Sequence, residues 1–207
     1  MTSAQVVAEV VRSGFVEGRH HGSVVALAPA GSVAWSVGDV DSPVLPRSCN
    51  KPLQAVAMVE AGLDLPPDLL ALACASHSGE AMHLDGVRRI LGGAGLTEDD
   101  LQCPVDWPMI DSVRDEALRS GASASRLFMN CSGKHAAMLA TCAANGWDTA
   151  SYLSPMHPLQ EAILATFARL TGEPVGTVAV DGCGAPLLST SLTGLARAFR
   201  SLAVAPS

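Results

Sequence analysis

The spacing of hydrophobic residues changes near Pro52, and this change does most to limit the folds open to the chain. Before Pro52 the valine-rich segments are short, and the segments 23–27 and 32–37 are joined by Pro29-Ala-Gly, which predicts a β-hairpin. Another valine-rich segment, 6–11, predicts a further strand. After Pro52, apolar residues recur at helical spacing. The chain is therefore expected to be a mixed α/β protein.

The helical part divides at glycines and prolines into segments of ordinary helix length. Pro52 suits the first turn of the first helix, and Gly92-Gly-Ala-Gly ends the third. One predicted strand, 175–180, interrupts the series. Because there is no internal repeat or linker, residues 1–207 are interpreted as a single domain. The predicted helices are 52–61, 67–75, 80–91, 112–121, 133–144, 158–170 and 187–202.

Composition excludes several classes of protein. Hydrophobic residues make up 48% of the chain and charged residues 16%, which is typical of a packed globular protein. The net charge of −7 and the lack of a basic run disfavour nucleic acid and anionic membranes as partners. No secretory signal or membrane-spanning segment is predicted. We therefore expect a cytoplasmic protein whose six cysteines are thiols or metal ligands.

Lysine is rare in this chain, and both lysines lie in clusters of serine, cysteine and glycine. The 13 basic residues include only two lysines, Lys51 and Lys134, and the rest are arginines. A guanidinium stays protonated near neutral pH, whereas a neutral lysine amine can act as a general base. The two lysine clusters are therefore the first candidates for a catalytic site.

The first cluster runs from Arg47 to Pro52. Ser48 and Lys51 are three residues apart, so on the first turn of a helix they share a face and can touch. Lys51 could then activate the Ser48 hydroxyl as a nucleophile, and Arg47 could hold a substrate carboxylate. The alternative is an N-cap serine followed by a surface lysine. The SxxK spacing also marks serine β-lactamases and penicillin-binding proteins, but their Lys-Thr-Gly and Ser-Asp-Asn strings are absent.

Two further clusters place polar residues at sharp turns. Cys74 to Glu80 offers hydroxyls, an imidazole and free backbone N–H groups. These would suit proton transfer or oxyanion binding, and a capped, solvated helix end is an equally good interpretation. In the segment from Asp181 to Pro186, glycines allow a sharp turn that aims Asp181 and Cys183 at a cleft.

The second lysine lies in the cluster from Asn130 to His135. This segment is not a phosphate-binding loop, because Phe128 stands where the first glycine is required. Cys131 and Lys134 are three residues apart and could bind zinc together with one more soft ligand. On local grounds, an Asn/Ser-capped helix packed through small residues is favoured over a metal site.

Taken together and in this order, four segments resemble the asparaginase II family of bacteria, typified by rhizobial L-asparaginase. These segments are RSCNKP, CASHSGE, NCSGKHAAML and DGCGAP. The resemblance runs along essentially the whole chain. It implies a fold similar to serine β-lactamases and glutaminases, in which helices sandwich a mostly antiparallel sheet. It also implies a homodimer.

The same resemblance implies a reaction and roles for individual residues. The reaction would be the release of ammonia from L-asparagine by a serine–lysine mechanism, without an organic cofactor. A zinc ion is also implied, which reverses the local preference at the second lysine cluster. The implied catalytic residues are Ser48, Lys51 and Ser76, the substrate-binding residues are Arg47, His135 and Asp181, and the zinc ligands are Cys131, Lys134 and Cys183.

Family members are longer than this chain and carry another catalytic lysine in a glycine-rich strand segment beyond it. Residues 1–207 would then correspond to about the N-terminal two-thirds of the family domain, with the sheet incomplete at its C-terminal end. Two alternatives follow. One is an inactive remnant that serves as a metal-binding or interaction module, and the other is a β-lactamase-like serine acyl-enzyme.

Overall fold

The computed structural model describes residues 5–205, in which helices and strands are mixed as predicted. Six strands are present: β1 (Gln5–Arg12), β2 (Phe15–Gly22), β3 (Val24–Leu27), β4 (Val33–Val37), β5 (Val178–Val180) and β6 (Pro186–Leu188). The helices are α1 (Lys51–Glu60), α2 (Pro67–Ala73), α3 (Ala81–Gly93), α4 (Asp111–Arg119), α5 (Ser132–Asn145), α6 (Pro158–Thr171) and α7 (Leu192–Ala203). Short 3-10 turns cover Arg47–Asn50 and Glu98–Asp100. Within 5–205, no helix is long and apolar enough to cross a membrane.

The described residues form two compact units. The first contains residues 5–46, 168–177 and 188–205, and the second contains 47–167 and 178–187. All the clusters singled out from the sequence lie in the second unit.

The first unit is built on two antiparallel hairpins, β1–β2 and β3–β4, with α7 packed against β3. The predicted hairpin at 23–37 is confirmed, and its turn is closed by a hydrogen bond from Gly31 N to Ala28 O of 2.8 Å. The start of α7 is fixed by Ser191, whose Oγ accepts from Gly194 N at 2.8 Å. Glu173 in turn accepts from the Ser191 hydroxyl at 2.8 Å.

The second unit is organised around α5. Its residues from Ser132 to Cys142 are all buried, and it packs against α1, α2 and α3. The approach to α2 depends on Gly133, since a Cβ there would lie 2.9 Å from both the Cγ and the backbone O of Leu72. The small residues at the start of α5 therefore bring its first turn, which carries Lys134, into the interior.

One sequence-based expectation about local structure is wrong, and one strand was not singled out. Residues 4–40 were expected to be β structure, but β2 was not singled out as a strand, because its sequence FVEGRHHG contains glycine and polar residues that obscure the alternation of a strand. The last helix begins at Leu192 and not at residue 187, since Pro186–Leu188 is the buried strand β6. The strands of residues 5–205 form three two-stranded sheets. The β-lactamase-like sandwich stays a prediction.

Candidate active site

Three side chains from two of the sequence clusters form one hydrogen-bonded series. Lys51 is the first residue of α1, is 1% exposed, and donates from Nζ to Ser76 Oγ at 2.6 Å and to Ala75 O at 2.9 Å. Ser76 Oγ donates to Ser48 Oγ at 3.2 Å. Lys51 was expected to touch Ser48 across the first helical turn, but among the described contacts it reaches Ser48 through Ser76.

The backbone just before Ser48 adopts an uncommon conformation. Arg47 has φ of +52°, in the left-handed region that costs a non-glycine residue about 1–3 kcal/mol. Its Nε lies 2.9 Å from Oδ1 of Asp181, and this ion pair holds the arginine in place. The strain and the ion pair together fix the point at which the Ser48 side chain leaves the turn.

The partner of Arg47 lies in the turn after β5, where the sequence predicted a sharp change of direction. Gly184 has φ of +87° and donates from N to Asp181 O at 2.9 Å, which closes the turn. Gly182 N donates to Asp181 Oδ1 at 2.8 Å. The Asp181 side chain is 10% exposed and that of Arg47 is 65% exposed. The two residues expected to bind opposite charges of a substrate thus bind each other, and the guanidinium remains open to solvent.

The three expected zinc ligands also come together. Lys134 Nζ is 3.0 Å from Cys183 Sγ, and both side chains are buried. A hydrogen bond from the buried Cys131 thiol lowers the pKa of Cys183 well below its usual value, and the positive charge of Lys134 lowers it further. The same hydrogen bond raises the pKa of Cys131. Two cysteine sulfurs and a lysine amine therefore lie together in the interior.

His135 lies in the core of the second unit and is fully buried. Its Nδ1 is 2.7 Å from the hydroxyl of Tyr152, which accepts from Gln102 N at 3.2 Å. Burial lowers the pKa of His135, so the ring is neutral near pH 7. A direct contact between His135 and substrate stays a prediction.

The four segments that resemble asparaginase II thus lie close together in the structure. The chain matches the family described as L-asparaginase II over residues 8–207. It belongs to the L-asparaginase II family. Membership indicates an asparaginase-type amidohydrolase acting on a small molecule. None of the curated proteins compared with the chain matches it.

The family resemblance implies a zinc ion held by Cys131, Lys134 and Cys183. Among residues 5–205, no group of three or more His, Cys, Asp or Glu side chains is arranged to hold a metal ion. The set at the start of α5 has two cysteine sulfurs and the amine of Lys134. Thiolates are preferred zinc ligands, and the Lys134 amine, once deprotonated, would supply a nitrogen donor of a kind uncommon at zinc sites. These three residues therefore fit the ion chemically.

Sequence reasoning assigned no individual role to His77, Ser132 and Tyr152, which the structure places beside these clusters. His77 follows Ser76 and its Nε2 lies 2.8 Å from the Oγ of the buried Ser132. Tyr152 contacts His135 as described above. Tyr152 is the single tyrosine of the chain, and His77 lies in the CASHSGE segment. Nothing in their local spacing indicates which partners they reach.

Proposed function

We propose that the chain hydrolyses the side-chain amide of L-asparagine, with Ser48 as nucleophile and Lys51 as base acting through Ser76. The observation that carries this proposal is the series Lys51 Nζ, Ser76 Oγ and Ser48 Oγ, joined by distances of 2.6 and 3.2 Å. A serine hydroxyl needs a base to become a useful nucleophile, and a lysine amine can serve when it is neutral.

The series supports a two-step path for the proton. As Ser48 Oγ attacks the amide carbon, its proton passes to Ser76 Oγ, and the proton of Ser76 passes to a neutral Lys51 amine. The C–O bond forms, and the carbonyl oxygen becomes an oxyanion. When the C–N bond breaks, the leaving nitrogen takes a proton back along the same path and departs as ammonia. An aspartyl ester of Ser48 remains.

Water then completes the reaction and uses the same proton path through Ser76 and Lys51. It attacks the ester carbon while Ser76 and Lys51 accept its proton, and the Ser48 oxygen then recovers a proton as aspartate leaves. Each half-reaction returns Lys51 to the neutral form. In the structure the Ser76 hydroxyl accepts from Lys51 and donates to Ser48, so moving the Ser48 proton to a neutral Lys51 amine reverses the direction of both hydrogen bonds.

The ion pair beside Ser48 supports recognition of an α-amino acid. Arg47 contacts Asp181 through Nε, and its exposed guanidinium offers N–H groups to a substrate carboxylate. Asp181 would bind the substrate ammonium. An amino acid carries both charges, so it could join this pair without leaving either residue unpaired.

Zinc, in this proposal, would be held by Cys131, Lys134 and Cys183. When bound, it would supply charge that stabilises the two sulfurs as thiolates and would fasten the start of α5 to the turn after β5. That turn carries Asp181, so zinc would act on substrate binding through position.

The test is ammonia release from L-asparagine and L-glutamine by the purified chain. Ser48→Ala should lower kcat by at least about 10⁴-fold, and Lys51→Met by about 10²–10⁴-fold. Ser112→Ala, which changes an exposed serine on α4, should leave the rate unchanged and serves as the matched control. Full ammonia release by folded Ser48→Ala would refute the proposed nucleophile.

Two measurements separate the alternatives. A folded wild-type chain that binds zinc but releases no ammonia from either amide would favour a metal-binding module. Covalent labelling by a β-lactam would favour an acyl-enzyme of the penicillin-recognising kind.

Metal analysis of the wild type against Cys131→Ser tests the zinc proposal, with loss of bound zinc expected in the variant. The homodimer implied by the family is tested by sedimentation.

A further inference from the structure

Ser76 lies in a loop, and its hydroxyl has to contact both Lys51 and Ser48. The loop follows α2, and Ser76 must hold 2.6 Å to Lys51 Nζ and 3.2 Å to Ser48 Oγ at the same time. A displacement of about 1 Å in such a series can cost about 10²-fold in rate. Some contact outside the series must therefore hold the loop in place.

We infer that His77 is a positioning residue that fixes Ser76 by fastening its loop to the start of α5, an inference that rests on the function proposed above. His77 is 3% exposed and is the residue next to Ser76. Its backbone N donates to Asn130 O at 3.0 Å, and its ring Nε2 lies 2.8 Å from Ser132 Oγ. Both partners flank Cys131 at the beginning of the buried helix.

The direction of the ring's hydrogen bond follows from its partner. Ser132 Oγ donates its proton to Leu127 O at 2.9 Å, so toward His77 it can act as an acceptor. The ring must then carry its proton on Nε2. This tautomer leaves Nδ1 as an acceptor, and Nδ1 is buried with no hydrogen-bond partner among the described residues.

A neutral ring is what this environment favours. The ring stacks on His83 with centroids 5.5 Å apart, and a proton on Nδ1 would find no acceptor. Burial, together with the nearby His83 and Lys51, lowers the pKa of His77 to about 4. His77 can therefore hold the loop without adding a positive charge beside the amine of Lys51, which has to accept a proton.

The inference differs from a purely structural role in what it predicts for kinetics. His77 touches neither Ser48 nor the Arg47–Asp181 pair in any described hydrogen bond, so its loss should disturb proton transfer more than substrate binding. A histidine needed only for packing would lower the amount of folded protein and leave the rate per folded site unchanged.

The experiment compares His77→Leu, which lacks any polar group, with His77→Gln, whose amide nitrogen stands the same number of bonds from Cβ as Nε2. We expect His77→Leu to lower kcat for L-asparagine by about 10–100-fold per folded site, with KM changed less than twofold. His77→Gln should recover at least about tenfold of that loss. His20→Leu, at an exposed histidine of β2, is the matched control and should match the wild type.

Two readouts do not depend on asparagine turnover. The rate at which a fluorophosphonate labels Ser48 should fall in His77→Leu and return in His77→Gln, even if asparagine is not the substrate. Long-range ¹H–¹⁵N NMR of the full chain at pH 7 should show a neutral His77 with its proton on Nε2. The tautomer is observed in the wild type, so it decides the matter even if His77→Leu does not fold.

The outcomes separate this inference from the proposed function. Absence of asparagine hydrolysis with His77-dependent labelling of Ser48 would overturn the substrate and support the positioning role. Equal labelling in wild type and folded His77→Leu, or an imidazolium or Nδ1–H tautomer at pH 7, would overturn the role of His77. A wild type in which Ser48 is not labelled above background would overturn both.

Discussion

Replacing Gly133 by alanine should destabilise the protein, although alanine is the better helix former. Gly133 lies in the first turn of α5, where glycine costs about 1 kcal/mol relative to alanine. Alanine would remove that cost, but its Cβ would lie 2.9 Å from Leu72 Cγ and 2.9 Å from Leu72 O. A side chain can rotate away, but a backbone oxygen cannot, so α2 and α5 would have to separate.

The size of the effect follows from these two opposing contributions. Overpacking in a core costs about 1–3 kcal/mol, and an overlap with backbone lies at the upper end of that range. Subtracting about 1 kcal/mol of helix propensity leaves a net loss of about 2 kcal/mol. In a domain of this size that corresponds to a fall in Tm of about 4–8 °C, since 1 kcal/mol shifts Tm by about 2–4 °C.

The assay is urea unfolding followed by circular dichroism, with ΔG compared at equal m-values. Gly92→Ala is the matched control, because Gly92 is a helical glycine of α3 with nothing within 4 Å of a new Cβ. It should stabilise the protein by about 0.5–1 kcal/mol. A Gly133→Ala protein as stable as Gly92→Ala would refute the close approach of α5 to α2.

Three further predictions concern charge. Burial lowers the pKa of His77 to about 4, below the 6.5 of an exposed histidine, so the unfolded chain binds a proton that the folded chain does not as pH falls between these values. Stability should therefore decrease as the pH falls through that range, and the urea midpoint should drop more between pH 7 and pH 5 for the wild type than for His77→Gln. Glu173→Gln should destabilise the start of α7 by about 1 kcal/mol, because the carboxylate accepts from both the backbone N and the hydroxyl of Ser191; urea unfolding measures it, and an unchanged midpoint would contradict it. Asp181→Asn should raise KM for an amino-acid substrate at least about tenfold, since it removes a charge from the pair with Arg47, and an unchanged KM in ammonia-release kinetics would place substrate elsewhere.

Much of the fold could be predicted because its signals are local. The hairpin at 23–37 and the starts of α1 and α6 follow from turn residues and prolines that act on their own neighbours. The strand β6 could not be predicted, because its leucines continue the apolar spacing of the following helix. The boundary between β6 and α7 depends on Ser191, whose hydroxyl caps the start of α7 in the folded chain.

The family resemblance named the residues of the candidate site, but the sequence did not show how they contact one another. The Ser48–Lys51 spacing suggested a direct contact, but Ser76 lies between them because the loop after α2 approaches α1. The start of α5 was locally best explained as a capped helix, and Cys183 changes that only through a contact 49 residues away along the chain. Spacing within a motif cannot encode such long-range pairings.

The burial of both lysines has a practical consequence for chemical labelling. Lys51 and Lys134 are each 1% exposed, and every other basic side chain is an arginine. Acylating reagents and bifunctional amine cross-linkers therefore meet no accessible lysine on the described surface of the folded chain. The extent of lysine acylation should instead follow unfolding. Mass spectrometry of the peptides that contain Lys51 and Lys134 would therefore measure how much of the second unit has unfolded.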